Sequence, residues 1–90
     1  MYELIITESY KKKAKKFFAK QQAVLDQYEK VLTLLCLNPQ HPSLRCHKLG
    51  GSLSELHSVS INISYRLIIY FVIDKKSITL VDIGSHDQVY

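Results

Sequence analysis

The spacing of apolar residues in the first half of the chain predicts one short strand followed by two helices. Residues 2–7 are rich in side chains that favour strands. Over Ser9–Lys20, with Ser9 as the N-cap, apolar residues recur three and four positions apart, as on one face of a helix. The same spacing returns over Gln22–Leu37, and the polar, proline-containing stretch 38–42 ends it. An antiparallel helical hairpin is therefore expected.

The second half changes to the pattern of strands. After a loop predicted over 43–52, apolar residues at Val59, Ile61 and Ile63 alternate with polar ones, which indicates a half-buried strand that ends in a turn at 62–64. The run 65–73 is almost continuously apolar, as in a central strand buried on both faces.

The last part of the chain predicts one more strand. Residues 74–77 form a polar turn, residues 78–83 a strand that Gly84 ends, and residues 85–90 a polar tail. The element order is then β-α-α-β-β-β, which is an α+β fold with mostly antiparallel strands. Ninety residues cannot enclose a second core, so residues 1–90 are expected to form one domain. Helices on one face of such a sheet would leave the other face partly open.

The charge of the chain favours anionic partners. Twelve Lys and Arg stand against eight Asp and Glu, a net charge of +4, and half of the basic residues lie in the first helix. The apolar runs are too short to span a bilayer, and no signal-peptide pattern is visible, so a cytoplasmic protein without a membrane partner is expected. Cys36 and Cys46 are predicted to be free thiols.

Arg66 is the first candidate for chemistry, because it interrupts the most apolar run of the chain. A guanidinium is rarely buried without a partner, so Arg66 either points to solvent or a site, or forms a salt bridge with Asp82 or Asp87. Strand alternation places Arg66 on one face with Ile68 and Tyr70.

The histidines offer acid–base groups but no metal site. His47 lies between Arg45 and Lys48 in the loop, and His86 lies in the tail, whereas His41 is expected at the surface. No histidine or cysteine pair has zinc-ligand spacing, so neither a metal nor another cofactor is expected. The motifs of ATPases, dehydrogenases, glycosidases and serine hydrolases are missing.

The remaining set suits the cleavage of RNA by its own 2′-hydroxyl. It consists of two imidazoles, cations and a phenol: His47, Lys48, Arg66, His86 and Tyr90, with Arg45 nearby. One group can remove the 2′-OH proton, a cation can stabilise the phosphorane, and another group can protonate the leaving 5′-oxygen. Composition alone indicates only a basic α+β domain.

The motifs of the second half resemble the RelE/ParE superfamily of bacterial and archaeal toxins, and most closely its YafQ and RelE/StbE groups of mRNA endonucleases. The most specific element is the ending over 82–90, DIGSHDQVY, and the second is YRLI over 65–68. Further matching segments are 41–44, 47–49 and 56–60. In element order the resemblance covers the whole chain.

The resemblance implies site residues and their roles. His47 matches a loop acid or base, Arg66 an arginine on the scissile phosphate, His86 the histidine of a terminal SH motif, and Tyr90 a terminal aromatic. Arg45 and Lys48 would contact phosphates, and the lysines of the first helix resemble surfaces used on ribosomal RNA, among them Lys12, Lys13 and Lys16.

Two departures leave the general base open. His57 stands where many relatives carry an aromatic residue, and Ser60 replaces a histidine of the second strand, so His47 and His86 both stay candidates. The resemblance also implies a cognate antitoxin with an acidic, partly disordered segment, and the ribosome and mRNA as further partners. A gyrase inhibitor of the ParE type, and an inactive module that only binds the antitoxin, are the alternative functions.

Overall fold

The computed structural model describes residues 1–51, 55–72 and 74–89, and its first helix begins two residues earlier than predicted. Helix α1 covers Glu8–Lys20. Its N-cap is Thr7, whose extended backbone and side-chain oxygen let it accept a hydrogen bond from the amide of Tyr10 at 3.1 Å. The prediction of Ser9 as the cap was therefore wrong, because a second capping residue precedes it within the same turn.

The second helix follows almost directly. Gln21 ends α1, a 3₁₀ turn covers Gln22–Val24, and helix α2 covers Leu25–Leu37, so the predicted helical segment is confirmed with a tighter first turn. Another 3₁₀ turn, Pro42–Leu44, lies in the predicted loop.

Five strands form one mixed sheet. They are β1 (Glu3–Ile6), β2 (His47–Lys48), β3 (Leu56–Ser60), β4 (Tyr65–Val72) and β5 (Ser77–Ser85), in the spatial order β1-β5-β4-β3-β2. β1 runs parallel to β5, and the other neighbours are antiparallel. The α+β fold is confirmed, and β4 is the central strand as predicted.

Three details of the strand prediction were wrong. Residues 47–48 of the predicted loop pair with β3 as a short edge strand. Gly84 does not end the last strand, because it pairs with Arg66 and β5 continues to Ser85. The polar tail begins with a short helix, α3 (His86–Val89).

The predicted alternation of β3 also fails. Ser58 and Val59 are both fully buried, whereas Ile63 is 98% exposed in the turn that follows. β3 is therefore covered on both faces. The turn itself is confirmed: the carboxamide oxygen of Asn62 accepts hydrogen bonds from the amides of Ser64 and Tyr65, each at 2.9 Å.

The core lies between the helices and one face of the sheet. Leu67 and Ile69 of β4 are fully buried there, together with Tyr10 of α1 and Leu35 of α2. The opposite face carries Arg66, Ile68 and Tyr70, as the alternation predicted. This face is only partly open, because Ile68 is buried. In the ranges described, no helix is long and apolar enough to cross a membrane.

Candidate functional site

The strand register brings two of the predicted residues onto the sheet face opposite the helices. His47 of β2 pairs with Ser58 of β3, and Ser58 pairs with Ile68 of β4. Directly opposed residues point to the same face, so His47 shares the face of Arg66, which lies two positions from Ile68. The Cα atoms of His47 and Arg66 are two strand spacings apart across the sheet and two residues apart along it. This corresponds to a distance of about 12 Å. Both side chains can reach a phosphodiester between them.

Arg66 is half-buried, and its guanidinium is not engaged by any side chain in the described part of the chain. Among the described residues it forms neither an ion pair nor a side-chain hydrogen bond. The alternative of a salt bridge with Asp82 or Asp87 was wrong: a carboxylate oxygen of Asp82 accepts a hydrogen bond from the amide of Ile83 at 2.8 Å, and Asp87 lies beside His86. The charge of Arg66 is thus available to an anion.

His86 lies at the same end of the sheet as Arg66. It is the first residue of α3 and follows Gly84, the β5 partner of Arg66, by two positions. Its side chain is 67% exposed, and its Nδ1 lies 3.7 Å from a carboxylate oxygen of Asp87. This carboxylate is a counter-charge for a protonated imidazole. Tyr90 lies outside the described residues.

His47 is exposed and its ring is held by the backbone. Its Nδ1 lies 3.1 Å from the carbonyl oxygen of Arg45. A carbonyl only accepts, so Nδ1 carries the proton in this bond, and Nε2 of the neutral ring is left as an acceptor. Arg45 adopts a left-handed conformation with φ of 48°, which turns the chain so that its carbonyl meets the ring. The geometry prepares Nε2 of His47 as a base.

The other predicted cations do not share this face. Lys48 pairs with His57, which lies on the same face of β3 as the core residue Val59, so Lys48 points to the side opposite His47. The predicted lysines of α1 are exposed on the helical side. Two of them, Lys13 and Lys16, line a cavity of about 450 Å³ with Tyr65 and Asp82.

His57 was not among the site residues predicted from the sequence, yet it occupies an unusual position. Its Nδ1 is buried and has no hydrogen-bond partner in the described part of the chain. Its ring packs edge-on against Phe71, with 5.8 Å between ring centroids. Burial lowers the pKa of His57, and the charges of Lys48 and His47 lower it further. Its ring is therefore neutral near pH 7.

The described ranges contain no metal-binding cluster. No group of three or more His, Cys, Asp or Glu side chains within them is arranged to hold an ion. Both cysteines are free and half-buried, as predicted.

Comparison with known proteins identifies relatives over the whole chain. The model of the YafQ family, described as a bacterial toxin of a type II toxin–antitoxin system, matches residues 2–90. Among solved structures, YafQ from Escherichia coli is 16% identical, with a TM-score of 0.81 over 100% of this chain and 99% of the other. A comparison with curated protein sequences finds no match.

Two further structures share the fold. A metal-bound toxin from Helicobacter pylori is 22% identical with a TM-score of 0.79, and the alignment covers 100% of both chains. A chain of the E. coli DinJ–YafQ complex is 16% identical with a TM-score of 0.79, and the alignment covers 100% of this chain and 99% of that one.

Proposed function

Because the chain belongs to the YafQ family of bacterial toxins of type II toxin–antitoxin systems, we propose that it is a ribosome-dependent mRNA endonuclease. The observation that supports this activity best is the placement of His47 and Arg66 on one sheet face, with His86 at the same end of the sheet. This part of the sheet thus offers two imidazoles and a guanidinium without an ion-pair partner among the described residues, the groups that metal-free RNA cleavage uses.

In the proposed reaction the RNA supplies the nucleophile. Nε2 of His47 removes the proton from the 2′-hydroxyl, and the 2′-oxygen attacks the adjacent phosphorus. Arg66 stabilises the added negative charge of the phosphorane. The bond from phosphorus to the 5′-oxygen then breaks, and protonated His86 gives its proton to that oxygen, with Asp87 as its counter-charge. The products are a 2′,3′-cyclic phosphate and a 5′-hydroxyl.

This assignment gives the two histidines different roles for a structural reason. The backbone carbonyl of Arg45 fixes His47 in the tautomer with a basic Nε2. Nδ1 of His86 lies 3.7 Å from a carboxylate oxygen of Asp87, so this ring has a counter-charge beside it when it acts as the general acid. Tyr90 remains a proposed member of the site by family resemblance.

The proposed partners follow from the family and the charge. One solved relative is a complex of YafQ with the DinJ antitoxin, and we expect this chain to bind a cognate antitoxin through an acidic segment. The net charge of +4 suits both that segment and ribosomal RNA, with Lys12, Lys13, Lys16, Arg45 and Lys48 as proposed phosphate contacts. Because ribosomes and mRNA are the proposed targets, we expect the activity to be cytoplasmic.

The decisive experiment maps 5′-hydroxyl ends on cellular mRNA after expression from a tightly controlled promoter. We expect new ends in register with codons for the unmodified protein and none for His86→Asn. His41→Asn is the matched control: His41 caps the 3₁₀ turn Pro42–Leu44 and is not among the proposed site residues, and asparagine can also cap. This variant should cleave normally.

Each other outcome points to a different function. Growth arrest without new 5′-hydroxyl ends, together with damaged chromosomes, would indicate a gyrase inhibitor. No arrest by a folded protein that binds its antitoxin tightly would indicate an inactive binding module. Full cleavage by His86→Asn would refute the role given to His86 and leave the nuclease assignment intact.

A further inference from the structure

A second cavity lies at the corner of the sheet where β3 begins. β3 starts at Leu56, opposite Tyr70, while β4 continues to Val72. Among the described residues, Phe71 and Val72 therefore have partners on β5 and none on β3. The mismatch in strand length leaves a cavity of about 360 Å³, which is within the range of small-ligand sites.

The lining of this cavity is aromatic with a charged rim. Tyr70, Phe71 and His57 line it, together with the charged residues Lys48, Glu55 and Asp74. Tyr70 is 42% exposed although it lies on the central strand, where its neighbour Ile69 is fully buried. The ring of His57 has a buried nitrogen without a partner in the described ranges, so the lining includes one unsatisfied polar atom.

The position of the cavity relates it to the proposed cleavage site. Lys48 lines it and directly follows His47 in the chain, but its side chain points to the opposite face of β2, so the link between the cavity and the cleavage face is Tyr70. Tyr70 lies on the same face of β4 as Arg66, four residues or about 13 Å away. This is too far for a group that contacts the scissile phosphate, which needs hydrogen-bond reach. A group bound at Tyr70 would belong to a neighbouring part of the same RNA.

From this placement we propose that the cavity binds the base of an mRNA nucleotide that flanks the cleaved bond, with the ring of Tyr70 stacked on the base. The inference rests on the proposed nuclease function and adds a specificity residue to it. Lys48 would contact the phosphate of that nucleotide, and the carboxylate of Glu55 would accept hydrogen bonds from base amino groups. Stacking on an aromatic ring tolerates any base, so Glu55 would supply the preference for bases that carry an amino group.

The test is a double-mutant cycle between the protein and the RNA. Ribosomes are programmed with a series of mRNAs. Each mRNA carries one abasic nucleotide, placed at one of the two positions on either side of the cut. For one of these positions, we expect the abasic RNA to be cleaved roughly 5- to 100-fold more slowly by the unmodified protein. Tyr70→Ala should cleave the intact RNA slower by a similar factor and should no longer respond to the abasic nucleotide.

Two other variants separate stacking from folding. Tyr70→Phe keeps the ring and should respond to the abasic nucleotide like the unmodified protein. Leu37→Ala truncates another exposed large side chain, 60% exposed at the end of α2, and should also respond normally. Thermal melts of all variants would reveal a loss of fold; if Tyr70→Ala unfolds, Tyr70→Leu, which keeps apolar bulk without a ring, takes its place in the cycle.

The outcomes distinguish the two proposals. If the unmodified protein cleaves, and no abasic position is coupled to Tyr70, the base-binding cavity is refuted while the nuclease stands. If it cleaves no mRNA on programmed ribosomes, the nuclease assignment is refuted and the base-binding cavity with it. Coupling at a single position supports the inference and identifies the flanking nucleotide.

Discussion

The hydroxyl groups of Tyr10 and Tyr28 provide the sharpest test of how the two helices are held together. They form a hydrogen bond of 2.7 Å between α1 and α2, and the two residues are only 2% and 8% exposed. Replacing one of them by phenylalanine preserves the packing of the ring and leaves the hydroxyl of the other without its partner. Replacing both removes the bond but leaves no hydroxyl behind.

The size of the effect follows from this asymmetry. A buried polar group that loses its partner destabilises a fold by about 1–3 kcal/mol, whereas removing both partners together is close to neutral. We therefore expect Tyr28→Phe and Tyr10→Phe each to lower the free energy of unfolding by about 1–3 kcal/mol. The double variant should lose at least about 1 kcal/mol less than the sum of the single losses.

The same pair predicts a dependence on alkaline pH. Burial is the main cause that raises the pKa of both phenols above the ordinary value of 10.0, and their hydrogen bond raises that of Tyr10 further. Above about pH 10 the unfolded chain then loses these protons while the folded protein retains them. The stabilisation is complete below pH 10 and is lost as the pH rises. The double phenylalanine variant should lose less stability in this range.

Urea denaturation at pH 7 and in steps up to pH 11 measures both effects. The slope of free energy against urea must stay constant for the four proteins, so that the midpoints report stability alone. Strict additivity of the two single losses would refute the reasoning. An unchanged alkaline profile in the double variant would also contradict it.

Three further predictions concern the cap, His57 and Arg66. Thr7→Ala should lower the free energy of unfolding by about 1 kcal/mol and Ser9→Ala by less than about 0.5 kcal/mol in urea titrations; equal losses would contradict the cap. Because the pKa of His57 is lowered in the fold, the unfolded chain binds the proton first, and stability should fall as the pH drops below about 6.5. His57→Phe should lose that part of the acid profile, and an identical profile would contradict this. Arg66→Lys should cleave mRNA at least about 10-fold more slowly than the unmodified protein on programmed ribosomes, since an ammonium lacks the bidentate fork; equal rates would exclude such a contact.

Long periodic segments of the fold could be predicted from the sequence, whereas the short elements could not. Both helices have several turns of regular apolar spacing, and β4 is an apolar run that only a central strand explains. β2 has two residues and α3 has four, too few for any period. The alternation predicted for β3 fails because its second face is buried as well, so that Ser58 lies in packing that alternation assigns to solvent.

The sequence predicts those parts of the site in which the alternation of side chains along one strand determines which face a residue occupies. Arg66 and Tyr70 share a face, as their even spacing requires. His47 could be named as a candidate, but the pairing of β2 that places it on the face of Arg66 is a long-range contact without a local signal. The same pairing sends Lys48 to the other side. The cavity at Tyr70 depends on where β3 begins, which is the kind of boundary that a sequence pattern defines poorly.

The parallel pairing of β1 with β5 has a consequence for how the molecule folds. Glu3 pairs with Ser77 and Ile6 with Leu80, so this edge forms only when nearly opposite ends of the chain meet. Contacts of such high sequence separation require a long loop to close, and they slow folding. The helical hairpin and the β3–β4 and β4–β5 hairpins can form locally, but β1 joins β5 only through a contact that uses most of the chain. A partly synthesised chain would therefore present lysine-rich helices well before it possesses a complete active face.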